Sequence, residues 1–235
     1  MCTIVAAAKY LNRKGGWIDE TALNLVAHSD TPTPELLGNP NPLVGDSVHH
    51  ADIDSRDRDG YTPLIHTCFS QIAVSINIRI QSFLDYRARP SITNEEGGNV
   101  ITCIADNTRL MDADSRQAVE RLLAHKCFTK ERLEELINAT SINALARVCA
   151  HGKPLTVELL LNLGMVKRIN FVTSSKRAEG TALDFAFFGA GDARLTYLKL
   201  LSEFATDEEM EEAEKSGRLY AANAYGINAG GQLNP

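Results

Sequence analysis

One short pattern returns five times along the 235-residue chain and constrains its fold more than any other feature. The copies run from Thr21 to Ala27, Thr62 to Cys68, Asn99 to Ala105, Asn143 to Cys149 and Thr181 to Phe187. Each opens on Thr or Asn, whose side-chain oxygen can accept a bond from an unpaired amide at a helix start. Ala, Pro or Val follows, and Pro is tolerated there because the first helical turn has no use for its missing N–H. An apolar anchor comes next (Leu23, Leu64, Ile101, Leu145 or Leu183). Small or apolar residues three and four positions on then complete one apolar face on a short helix.

Behind the copies lie further apolar runs of helical period. They cover residues 78–84, 118–123, 157–164 and 195–201, with Val157, Leu160 and Leu161 in the clearest of them. The unit is therefore a pair of short helices followed by a polar turn. Such a pair cannot hide both apolar faces unaided, so the copies must stack and share one elongated core. The expected class is all-α.

Within this frame the stretch from Ala51 to Leu64, which contains Asp57, Gly60, Thr62 and Pro63, resembles the junction between two ankyrin repeats almost position for position. Ala150 to Lys153 resembles that family's turn between paired helices, and Leu159 to Asn170 its second helix and exit. The resemblance covers about residues 4–205 and is strong at 51–64, 143–164 and 179–187. It implies an ankyrin-like helical repeat solenoid with short hairpin or turn connections over residues 1–205, in which 1–19 serve as an N-terminal cap.

The array departs from the family in two respects. Its anchors are 41, 37, 44 and 38 residues apart, all longer than the roughly 33 of the usual unit. The surplus falls in Ser29–Val48, rich in Pro and Gly, in Asp106–Asp114, and in Thr129–Ala139, which reads as an extra helix. The family's histidine after the anchor is replaced by Asn24, Ile65, Thr102, Ala146 and Asp184. The hydrogen bonds that it makes between repeats are therefore expected to be missing.

Arrays of this family usually bind other proteins and perform no chemistry, and the resemblance implies the same here. Stacked units also expose a row of turn tips beside one helix face, a long surface with little internal flexibility. By similarity, the partner-binding candidates are Arg58, Asp59 and Tyr61 before the second anchor, Phe69 and Ser70 after it, then Asp106, Asn107, His151 and Phe188. Aromatic residues in a partly desolvated groove commonly dominate binding, although Phe69 and Phe188 could equally pack against the long insertions. As exposed tip residues, Tyr61 and His151 are expected to cost under about 1 kcal/mol when truncated to Ala.

Composition excludes other classes. Net charge is −6, and residues 207–214 carry six acids, leaving 24 acids against 22 bases in residues 1–206. No basic stripe of the kind that nucleic acid requires is present in the sequence. No apolar run approaches the roughly 18 residues of a spanning helix, and Lys9 follows the opening Met1–Ala8 segment too early for a secretory signal. A cytoplasmic, non-membrane protein is expected. Neither a small-molecule substrate nor a cofactor is anticipated.

Five widely spaced cysteines (Cys2, Cys68, Cys103, Cys127 and Cys149) include no Cys-x-x-Cys pair, so neither a zinc knuckle nor a disulfide framework is expected. Ser55 to Gly60 mimics the start of a calcium loop, but Pro63 lies inside it and His66 stands where a bidentate Glu is needed. His49 and His50 lie beside Asp52 and Asp54, yet adjacent histidines on a strand or turn point apart. No metal site is expected.

Two alternatives compete with a binding module. Removal of Met1 would expose Cys2 as an N-terminal nucleophile able to use its own α-amino group as base, as in some amidohydrolases. Residues 6–11 read as helix, whereas such enzymes are β-rich. The array could also be a structural accessory with no partner surface of its own. Residues 206–225 form the expected acidic C-terminal helix, capped by Thr206, and 226–235 a flexible tail of turn and linker composition.

Overall fold

The computed structural model describes residues 13–16, 19–28, 52–69, 73–126, 128–138, 143–164, 173–174, 179–189 and 194–225. Its architecture is helical. The order is α1 (Ala22–His28), α2 (Pro63–Cys68), α3 (Ala73–Asp85), α4 (Val100–Asp106), α5 (Asp112–Ala124) and α6 (Lys130–Ile137). Then follow α7 (Ala144–Ala150), α8 (Pro154–Asn162), a two-residue strand pair β1 (Thr173–Ser174) and β2 (Glu179–Gly180), α9 (Ala182–Gly189), α10 (Arg194–Ser202) and α11 (Asp207–Tyr225). The strands are antiparallel, with Thr173 opposite Gly180. Among the described residues no helix is long and apolar enough to cross a membrane.

The recurring Thr and Asn residues start the first helix of each copy as capping chemistry requires. Thr62 Oγ1 accepts from the Ile65 amide ahead of Pro63. Asn99 Oδ1 accepts from the Ile101 and Thr102 amides while Thr102 Oγ1 accepts from the Asn99 amide, a reciprocal capping box. Asn143 caps α7 through the Ala146 amide. Thr21 and Asn24, and likewise Thr181 and Asp184, exchange bonds between side chain and amide at α1 and α9. At the C-terminus Thr206 and Glu209 do the same for α11.

Two compact units emerge where the sequence suggested one array. Residues 1–110 and 117–129 form the first, and 111–116 with 130–235 the second. In the first unit α1 packs on α2, α2 on α4, and α3 on α2. In the second, α7 packs on α9 and α9 on α11, while α8 lies against α7 and α10. First helices thus meet first helices inside each unit. All five anchors are buried, and so are Ala27, Cys68, Ala105 and Cys149 four positions beyond the first four of them. Residues this small let the short helices approach closely.

The surplus segments resolve differently. Thr129–Ala139 contains α6, whose Leu133, Leu136 and Ile137 are buried. Asp106–Asp114 is shorter as a loop than its composition suggested, because α5 begins at Asp112. The Asp112 carboxylate accepts from the Leu155 and Thr156 amides at the start of α8 (2.7 and 3.0 Å), binding two helix starts together within the second unit. Between α7 and α8 the chain reverses at Gly152, where φ is +72° and the Lys153 amide bonds back to the Val148 carbonyl. Ser29–Val48, Cys2 and the tail after Tyr225 lie outside the described residues.

Two outcomes are expected from this packing. Leu64→Ala and Leu145→Ala each remove a fully buried anchor, and denaturant melts should show a loss of about 2–5 kcal/mol for either. Burial pushes the Cys68 and Cys149 thiols well above the usual cysteine range. Alkylation of the folded chain near neutral pH should leave both unmodified until denaturant is added. Rapid native labelling of either would contradict the packing of α2 or α7.

Candidate functional site

The tip that carries Arg58 and Asp59 is built from residues 52–62. Asp57 organises it: its Oδ1 accepts from the Asp59 and Tyr61 amides (3.0 and 2.8 Å), and its own amide bonds to the Tyr61 carbonyl. Gly60 completes the reversal at φ +81°. A side chain there would be strained by that φ, and its Cβ would come within 2.9 Å of the Glu95 amide nitrogen.

That near contact marks a second turn, residues 89–98, docked on the first. The Glu95 amide donates to the Asp59 carbonyl (3.0 Å), and the Arg56 guanidinium donates to the Gly60 and Thr93 carbonyls. Asp54 accepts from the Arg89 amide at 2.8 Å and from its Nε at 2.7 Å. Inside the second turn, Asn94 Oδ1 accepts from the Gly98 amide (2.6 Å). Successive turns are thereby joined through main chain as well as side chains.

At the first of the five positions, hydrogen bonds expected to be missing are present in another form. Asn24, in the position of the family's histidine, donates from Nδ2 to the Ser55 and Tyr61 carbonyls (3.4 and 3.1 Å). Its Oδ1 accepts from the Ser55 hydroxyl at 3.1 Å. A side-chain amide both donates and accepts, so it bridges the copies as an imidazole would. From α3, Arg79 donates to the Ala27 carbonyl in the last turn of α1.

The nine candidate residues do not share one environment. Arg58 and Asp59 are exposed at the tip. Tyr61 is half-buried: its ring stacks on His66 (centroids 5.3 Å apart) and meets Phe69 edge-on at 5.7 Å. Burial, with a smaller contribution from Cys103, raises the Tyr61 hydroxyl above its ordinary pKa. Truncation of this residue removes two ring contacts, so its expected low cost as a free tip residue is corrected. Asp106 is half-buried at the end of α4, and His151 half-buried at the end of α7. Ser70 and the Phe188 side chain lie outside the described residues.

Asn107 requires a further correction. It is buried, its Nδ2 donates to the Cys68 carbonyl at 2.9 Å, and its Oδ1 accepts from the Arg109 amide. Its side chain closes the end of α2 instead of facing a partner. Proximity in sequence to the exposed Thr108 and Arg109 concealed this.

Beneath the tip lies a grouping that sequence reasoning missed. His66 Nε2 is 2.8 Å from Asp57 Oδ2 and 4.0 Å from Glu20 Oε1. The three side chains are 4%, 1% and 11% exposed in that order. The one available signal was that every residue of α2 must be buried, so that a histidine within it demands a polar partner.

No family model and no curated protein matches the chain. Among solved structures, one chain of a complex between a predatory endopeptidase from Bdellovibrio bacteriovorus and an immunity protein is similar over 79% of this chain and 99% of its own. The identity is 18% and the TM-score 0.35.

Gly60→Ala should cost about 2 kcal/mol or more, since it combines positive φ with a main-chain clash. Asn107→Ala should cost about 1–3 kcal/mol by leaving the Cys68 carbonyl unsatisfied. Equilibrium unfolding checks both, and a neutral effect at either position would contradict the described turn geometry.

Proposed function

We propose that the chain is a non-catalytic protein-binding module, an adaptor or inhibitor, built from about five divergent ankyrin-like repeats. The partner is another protein, engaged at the turn tips and the adjoining first-helix ends. A cytoplasmic setting belongs to the same reading. The observation that carries it is the docking of turn 52–62 on turn 89–98 by the Glu95–Asp59 main-chain bond and the Arg56 and Asp54–Arg89 contacts.

A tip held in this way loses little conformational freedom when it is covered, so contact energy goes into affinity instead of ordering. Two of the exposed side chains there, Arg58 and Asp59, have opposite charge, which suits selection of orientation and register more than bulk attraction. Tyr61 and Phe69 add a partly accessible aromatic pair beside them.

The test is an affinity measurement. A partner captured by the wild-type chain from native lysate and identified by mass spectrometry should bind the Arg58→Ala/Asp59→Ala variant at least about tenfold more weakly, a loss of about 1.4 kcal/mol. Melting of the variant should be unchanged, because both side chains are exposed. Equal affinity for a folded variant would refute the tip as the binding surface.

A further inference from the structure

We propose that Glu20, Asp57 and His66 form a binding site for one divalent transition-metal ion of the zinc class, which fastens the first two repeat junctions together. Each residue offers one ligand atom, and the three atoms lie within 4.8 Å of one another. Zinc bound to imidazole nitrogen and carboxylate oxygen at about 2.0–2.2 Å places neighbouring ligand atoms about 3.4 Å apart at the tetrahedral angle. The His66 nitrogen lies 2.8 Å from one oxygen and 4.0 Å from the other, on either side of that value. A change of about 0.6 Å in each of these two separations brings them to that value.

The donors are mounted on three separately braced elements. Glu20 belongs to a bridge in which its amide and carbonyl bond the carbonyl and amide of Gly15, both at 3.0 Å. Asp57 has one oxygen occupied by the Asp59 and Tyr61 amides, and its other oxygen faces the histidine. His66 is fixed in α2, under the stacked ring of Tyr61. Bracing of this kind, in which other groups hold the ligands in place, is what a metal site requires.

Charge favours the same occupant. Two carboxylates beside one imidazole supply negative charge that a divalent ion offsets. One nitrogen and two oxygens suit zinc better than calcium, which takes six to eight oxygens. Glu20, the most exposed of the three, marks the side from which the ion and a fourth, water ligand enter. The role is structural: the ion replaces the 2.8 Å His66–Asp57 hydrogen bond and adds Glu20 to the same joint.

The test uses the chelator-stripped full chain titrated with zinc chloride in a calorimeter, then with cobalt(II) followed by absorbance. One equivalent should bind, and at a hundredfold excess over Kd the Tm should rise by about 5 °C or more. Glu20→Gln keeps the side chain's shape and should weaken zinc binding at least about tenfold and abolish the Tm shift. His66→Gln should do the same. The His49→Ala/His50→Ala variant should bind like wild type, which separates this site from the adjacent-histidine pair of the sequence. Wild type that takes up no zinc would overturn the proposal, and so would undiminished uptake by both single variants. A cobalt spectrum with a thiolate charge-transfer band would also overturn it, since it would place the ion on cysteine.

Discussion

Helix α2 is six residues long, and every one of them is buried. An isolated helix of that length has no stability in water, since the cost of nucleation exceeds what a single turn and a half returns. It exists because α1, α3 and α4 surround it. The same constraint applies to α7, seven residues long, between α8 and α9. Other features of the fold follow from this dependence of short helices on their neighbours. The anchors are large, the residues four positions on are small, and the helix starts carry their own caps.

A helix buried on all sides brings its polar groups with it. Thr67 returns its hydroxyl to the Pro63 carbonyl within the helix, and His66 turns to Asp57. The Cys68 carbonyl at the end of α2 is met by Asn107 from the far end of α4. The last two of these bonds join elements that the apolar contacts have already brought together. They add specificity of register to a packing that Leu and Ile alone would leave adjustable. The docked turns extend the same logic to the surface, where the main-chain bond from the Glu95 amide to the Asp59 carbonyl ties the tip to its neighbour.

Much of this was legible in the residues. Thr or Asn ahead of an apolar anchor located the five first helices, and the periodic run in Thr129–Ala139 located α6. The acidic run after Thr206 coincides with α11. Local chemistry decides each of these, so local sequence reveals it. Asn24 and Asn107 were misread for the opposite reason. Their side chains bond groups 31 to 39 residues away, and nothing near them in sequence specifies those partners. His66 was weighed only as the residue that spoils a calcium loop, because a pattern keyed to the residue directly after the anchor looks at Ile65. The division into two units is likewise a property of tertiary packing, which no five-fold pattern encodes.

The central claim is that successive turns form one rigid frame with the helices below them. Native-state hydrogen exchange of the Glu95 amide tests it most directly, because that proton bridges the two turns. The account predicts an opening free energy for Glu95 close to those of the amides in α2 and α4, with Tyr61 opening in the same step. Exchange of Glu95 at the rate of a free peptide, while α2 and α4 remain protected, would contradict it.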